Sequence, residues 1–243
     1  MGRAFEYRKA AKMKRWGHMS RVFPKLGKII TIAAKEGGPD PDMNPKLRQA
    51  ILNAKAENMP KDNIDAAIKR ATDKSTADMV EIVYEGKGPH GVLCVVECAT
   101  DNTTRTVADV RSIFNKFSGT LGTMGSLAYL FDHYAMFSFK KPADLDTDEM
   151  ILELIDLGVN DEFDEEYDED KDETIITIYG DPKSFALIQK YLEEHNYEIT
   201  TAEFTYVPND LKEVTDEQRE TIEKMVERLE EFDDVQNVYT NMK

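Results

Sequence analysis

Ten of the first 35 residues are lysine or arginine, against a single acid, Glu6. The cations Arg3, Arg8, Lys9, Lys12, Lys14, Arg15, Arg21, Lys25 and Lys28 are interleaved with Phe5, Tyr7 and Trp16. Basic side chains neutralise phosphates and release their counterions, while aromatic rings stack on exposed bases. The pattern therefore predicts contact with the backbone of DNA or RNA, with Trp16 as a stacking group; a merely solvated basic face is the alternative. A second candidate is DNTTRTVADVR, residues 101–111, where Asp101 or Asn102 can cap a helix carrying Arg105 in its first turn. A cation there opposes the helix dipole. Either a bound anion or a neighbouring carboxylate would remove the conflict. In the turn EGKGPHG, residues 85–91, Lys87 and His90 sit at a tip that can touch a phosphate.

Other chemistries are poorly served. The four histidines, His18, His90, His133 and His195, lie in no metal-ligand spacing with one another or with cysteine. The glycine-rich SGTLGTMGS, residues 118–126, follows a helix and precedes apolar SLAYLF, the reverse of the strand-to-helix order of a phosphate loop. Ten acids in the thirteen residues 161–173 lack the glycine-containing register of a calcium loop and read as an edge strand with a polar hairpin tip. Cys94 and Cys98, four apart in an apolar run, share one face of a strand as buried thiols. No nucleophile–base pair, metal site or cofactor site emerges, so an enzyme is not expected; a metal-dependent nucleic-acid enzyme is the weakest reading.

The elements that position these residues follow from periodicity and charge. Residues 1–75 carry 17 Lys/Arg and 8 Asp/Glu, a net charge of +9, within a chain of net charge -16. The remainder is thus strongly acidic, and such asymmetry points to a nucleic-acid or anionic-membrane contact made by the basic part. No apolar run approaches a membrane span, and the N-terminus lacks a secretory pattern, so a cytoplasmic protein is expected. Residues 1–20 read as a basic arm and 21–75 as three short helices packed together, with Pro24, Pro45 and Pro60 at or near their starts and Asn44 as a cap. Beyond residue 79 the order is strand VLCVVEC, helix TTRTVADVRSIFNKF and strand SLAYLF, then after a long insertion strand EFTYV, helix EQRETIEKMVERLEEF and strand VQNVY. Thr215 and Gln218 suit a capping box. The insertion repeats a βαββαβ order. The fold expected is α+β, with an N-terminal three-helix domain followed by two ferredoxin-like βαββαβ domains, one inserted in the other: 79–132 plus 204–243, and 133–203.

Several separated stretches, NMPKDNIDAAIKRA, YEGKGPHG, TDNTTRTVADVR, GTLGTMGSLAYLF and DDVQNVY, resemble the YebC family, in order and over nearly the whole chain. The usual short G-H-S-K-W start of that family is replaced by GRAFEYRKAAKMKRWGHMS, Thr104 stands for an Asn, and Ser118 and Thr120 stand for a Gly and an Asn. Arg105 and the G-P-x-G loop are retained. The resemblance implies a helical domain followed by two α+β domains. It also implies a non-enzymatic regulator of gene expression: bacterial members are described as DNA-binding transcriptional regulators. Mitochondrial relatives are translational activators, and some bacterial members are linked to ribosomes and to relief of stalling on proline-rich stretches. DNA, or ribosomal RNA and the ribosome, are the partners it suggests.

Overall fold

Helix α1 (Met19–Gly37) starts ahead of Pro24, which lies inside it rather than at its first position. As the sixth residue of the helix it lies beyond the first four amides, so its missing N–H forgoes one i→i−4 bond. The computed structural model describes residues 19–73, 78–168 and 172–243, with the backbone alone for 19–21 and 162. Gly38, in the left-handed region at φ 94°, turns the chain out of α1. Asn44 then starts α2 (Pro45–Ala56): its Oδ1 accepts from Leu47 N at 3.1 Å, while its Nδ2 donates to Ala33 O and Gly38 O, both at 2.8 Å. Helix α3 (Lys61–Thr72) packs on α1, and the buried hydroxyl of Thr31 lies 2.9 Å from Ala67 O.

The described residues form two compact units. One contains residues 19–47, 60–132 and 206–243. Its sheet is ordered β3-β1-β2-β8, all antiparallel, from β1 (Val80–Lys87), β2 (Leu93–Thr100), β3 (Thr120–Leu121) and β8 (Val235–Thr240). Helices α4 (Thr103–Lys116) and, after the long insertion, α7 (Asp216–Glu230) cover one face. Strand alternation points Cys94, Val96 and Cys98 at Val110, Phe114, Ile222, Met225 and Leu229. The capping box of Thr215 and Gln218 starts α7 as expected.

Two strand expectations fail in this unit. SLAYLF is not a strand: residues 124–130 are turns, and only Phe131 enters one. EFTYV lies in β7 of the other sheet. Their places are taken by two-residue β3 and by β1, whose run VEIVYEGK interrupts its apolar pattern with Glu81, Glu85 and Gly86.

The other unit contains residues 48–59 and 133–205. Here β4 (Phe131–Lys140), α5 (Thr147–Ile155), β5 (Val159–Asp168), β6 (Glu173–Gly180), α6 (Phe185–Glu194) and β7 (Ile199–Pro208) run in the expected βαββαβ order. The sheet order β5-β6-β4-β7 is ferredoxin-like. Phe137, Phe139, Ile176, Ile178, Leu154, Ile188 and Leu192, all fully buried, form its core. The acidic run does form an edge strand, β5. The opposite edge is closed by residues of α2: Asn53 Nδ2 donates to Ala202 O at 2.7 Å and its Oδ1 accepts from Ala202 N at 3.2 Å, with Gln49 Nε2 also donating to Ala202 O. A strand edge thereby gains side-chain partners instead of another chain.

Candidate nucleic-acid interface

Asp234 lies between the end of α7 and the start of β8, and its side chain is 11% exposed. Its backbone carbonyl accepts from Ala99 N at 2.8 Å, which anchors it beside the C-terminal end of β2. Onto its carboxylate converge Lys28 Nζ at 2.7 Å from Oδ1 and Arg105 Nη2 at 2.7 Å from Oδ2. The hydroxyls of Thr100 and Thr106 lie 3.1 and 2.9 Å from Oδ2. Burial by itself would raise this carboxyl, but the hydrogen bonds from Lys28, Arg105 and Thr106 outweigh it and hold it at about 2. Arg105 also pairs with Asp101 at 2.9 Å, and its guanidinium is raised by its hydrogen bonds to Asp234 and Asp101.

Local sequence explains this placement. Asn102 Oδ1 accepts from Arg105 N at 3.0 Å, so Asn102 is the cap that starts α4 and sets Arg105 in the first turn. Two carboxylates then remove the clash of a cation with the helix N-terminus, the second of the two solutions offered by the sequence. Helix α1 contributes in the complementary sense. Lys25 Nζ donates to Glu230 O at 3.1 Å and Lys28 Nζ to Asp233 O at 2.7 Å, where basic groups satisfy carbonyls at and beyond the C-terminus of α7. Lys25, Lys28 and Arg105 are thus committed to internal contacts.

Lys87 stands apart from them. In the register of β1 and β2, Val80 faces Thr100 and Lys87 faces Leu93, so Lys87 and the Asp234 network occupy opposite ends of the sheet, roughly 20 Å apart along the strands. Lys87 is exposed and leads into the turn Gly88–Gly91, where His90 is also exposed and adopts φ 57°. The buried Glu85 carboxylate accepts from Gly125 N at 3.0 Å, Ser126 Oγ at 3.2 Å and Leu127 N at 2.5 Å. It holds the glycine-rich segment in a fixed turn, which is why SLAYLF is not a strand. Arg21 lies on α1. Arg3, Arg8, Lys9, Lys12, Lys14, Arg15 and Trp16 lie outside the described residues.

Sequence reasoning missed Asp234 and Glu85. The sequence carries no local signal of Glu85, which reads as a solvent-facing acid although it is buried in β1. Among the described residues no group of three or more His, Cys, Asp or Glu is placed to hold a metal ion, and no helix is long and apolar enough to cross a membrane. The two thiols are buried as expected. Burial pushes Cys94 up to about 12, and burial together with Asp234 and Glu97 does the same for Cys98. Both are therefore expected to resist a thiol reagent at pH 8 until denaturant is added, whereupon both react; rapid labelling of the folded chain would contradict this burial.

Comparison with known proteins gives a consistent result. Residues 3–74 match the TACO1/YebC protein N-terminal domain, and residues 79–242 match the TACO1/YebC second and third domain. Proteins named "Probable transcriptional regulatory protein" from Phocaeicola vulgatus and Bacteroides thetaiotaomicron are 65% and 64% identical, over all of this chain and 97% of theirs. One of the same name from Sulfurovum is 57% identical over the full length of both chains. These names are of regulators, not enzymes. The crystal structure of a conserved hypothetical protein, Aq1575 from Aquifex aeolicus, superposes with a TM-score of 0.74 at 33% identity, covering 92% of this chain and 90% of that one. A helical N-terminal part, two antiparallel α/β sheets and matches spanning both parts of the chain establish that this protein belongs to the TACO1/YebC family.

Proposed function

We propose that this protein is a DNA-binding transcriptional regulatory protein that grips the phosphate backbone with its basic N-terminal part; its relatives are named probable transcriptional regulatory proteins. The observation that carries this reading is the division of charge, net +9 over residues 1–75 in a chain of net charge -16. Because Lys25, Lys28 and Arg105 serve internal contacts, the grip is assigned mainly to Arg3, Arg8, Lys9, Lys12, Lys14, Arg15 and Arg21, with Trp16 stacking. In this reading residues 1–20 are the arm and 21–75 a helical domain. Residues 79–132 with 204–243, and 133–203, are α+β domains whose acidic surfaces limit indiscriminate binding.

A second reading, an RNA- or ribosome-associated translation factor, is favoured by the aromatic residues within the basic arm and by a tyrosine, Tyr129, that is 75% exposed. Unpaired bases to stack upon are offered mainly by RNA. Co-sedimentation with purified ribosomes, beside duplex DNA binding at matched salt, separates the two. The transcriptional reading predicts tighter, sequence-dependent DNA binding with weak ribosome association. Preferential ribosome binding would replace it with the translational one.

A further inference from the structure

The end of the sheet that carries Lys87 combines features that the internal network at the opposite end lacks. Lys87 pairs with Thr120 of β3, and the glycine-rich loop departs from the next residue, Leu121. Glu85 clamps the near side of this loop, and Asn209 clamps the far side: Asn209 N donates to Leu130 O at 2.9 Å and its Nδ2 to Tyr129 O at 3.1 Å. Despite these anchors, Met124 and Tyr129 project with 73% and 75% of their surface exposed. Large apolar side chains held outward on a fixed loop are unusual, since burial of such groups is normally favourable.

Cations flank this loop. Lys212 follows Asn209 closely, and its backbone is fixed by bonds to Asn241 O at 2.6 Å and from Lys243 N at 2.9 Å. Its ammonium reaches the turn beside Lys87: a side chain begun at Gly91 would start 3.3 Å from Lys212 Nζ and 3.8 Å from Lys87 Cε. Among the described residues neither ammonium has a carboxylate partner. Exposed His90 stands on the same turn. Two cations converging without an anion, in the same unit as an exposed aromatic ring on a loop with an anchored backbone, match the combination by which proteins hold single strands: charge for the backbone and a ring for the base.

We propose that this sheet end is a contact surface for single-stranded RNA, with Tyr129 stacking on an unpaired base, Met124 beside it, and Lys87 and Lys212 taking the flanking phosphates. A duplex keeps its bases stacked internally and offers Tyr129 nothing equivalent, which selects the single strand. The inference rests on the nucleic-acid reading of the protein but not on the DNA half of it.

The test uses the full chain and fluorescence anisotropy with a labelled uridine-rich RNA of about 12 nucleotides and a blunt RNA duplex of equal length. Tyr129→Ala is expected to weaken single-strand binding by about 5- to 100-fold while changing duplex binding less than about twofold. Lys87→Ala with Lys212→Ala is expected to lower the salt slope on the single strand by about 1.4. All three positions leave the core untouched, and unchanged melting curves would confirm folding. Single-strand binding that survives every substitution, or equal losses on the duplex, would overturn this proposal and leave the nucleic-acid reading standing. Failure of the intact chain to bind RNA or duplex DNA at low salt would overturn both.

Discussion

Replacing Asp234 with Ala is expected to destabilise the unit that contains it by about 2–4 kcal/mol, a fall of roughly 5–15 °C in the corresponding melting transition. The carboxylate is the shared acceptor for Lys28, Arg105, Thr100 and Thr106. Its removal leaves the Lys28 ammonium, 15% exposed, without the anion that offsets its burial. Arg105, 49% exposed, recovers solvation more easily and keeps Asp101. Arg105→Ala is accordingly expected to cost about 1 kcal/mol or less. Acid provides an independent check. The Asp234 carboxyl is held at about 2, below its ordinary value of 3.8. The unfolded chain therefore takes up the proton first, and the stabilisation, fully present above about pH 4, is lost as pH falls through 2. The difference between the intact chain and Asp234→Ala should shrink over that window. A variant as stable as the parent at pH 7 would show that this network does not hold α1, α4 and α7 to the sheet.

Converting Arg3, Arg8, Lys9, Lys12, Lys14 and Arg15 together to Gln is expected to reduce affinity for duplex DNA at least about 100-fold at moderate salt. Each phosphate neutralised by a side chain releases condensed counterions, so removing cations lowers affinity and salt dependence together. The Lys25, Lys28 and Arg105 positions offer a contrast, because their charges already face Glu230 O, Asp233 O, Asp101 and Asp234 within the fold. Substituting these three should appear chiefly as lost stability, and the arm substitutions chiefly as lost affinity. Melting temperature and binding measured on the same samples separate the two roles.

The features legible in the sequence were those whose causes are local. Asn44, Asn102 and the Thr215–Gln218 box are caps, recognisable because the donor amides lie two or three residues away, and each is found in its expected role. The cysteine face followed from strand alternation, and the inserted βαββαβ order from changes of period. What failed was set by distant groups. SLAYLF has the composition of a strand, yet Glu85, about 40 residues earlier, satisfies the amides of Gly125 and Leu127 in a turn, and Asn209 fixes Tyr129 and Leu130 from the other side. Strand β1 is poorly marked in the sequence because Glu85, its buried acid, reads as a solvent-facing residue until the loop it clamps is known. Asp234 is the second of two adjacent acids in DDVQNVY, and its partners Arg105 and Lys28 are 129 and 206 residues away. Nothing near it in the chain marks it as a hub.

On the proposed function, the basic N-terminal part holds nucleic acid by its phosphates. This grip is tested most directly by measuring the affinity for one duplex DNA across a range of salt concentrations, with the intact chain and with the six-fold arm variant. A steep dependence is expected for the intact chain, with the slope of log affinity against log salt reduced by about 3–5 in the variant. A nearly flat dependence for the intact chain, or equal slopes for the two proteins, would contradict it.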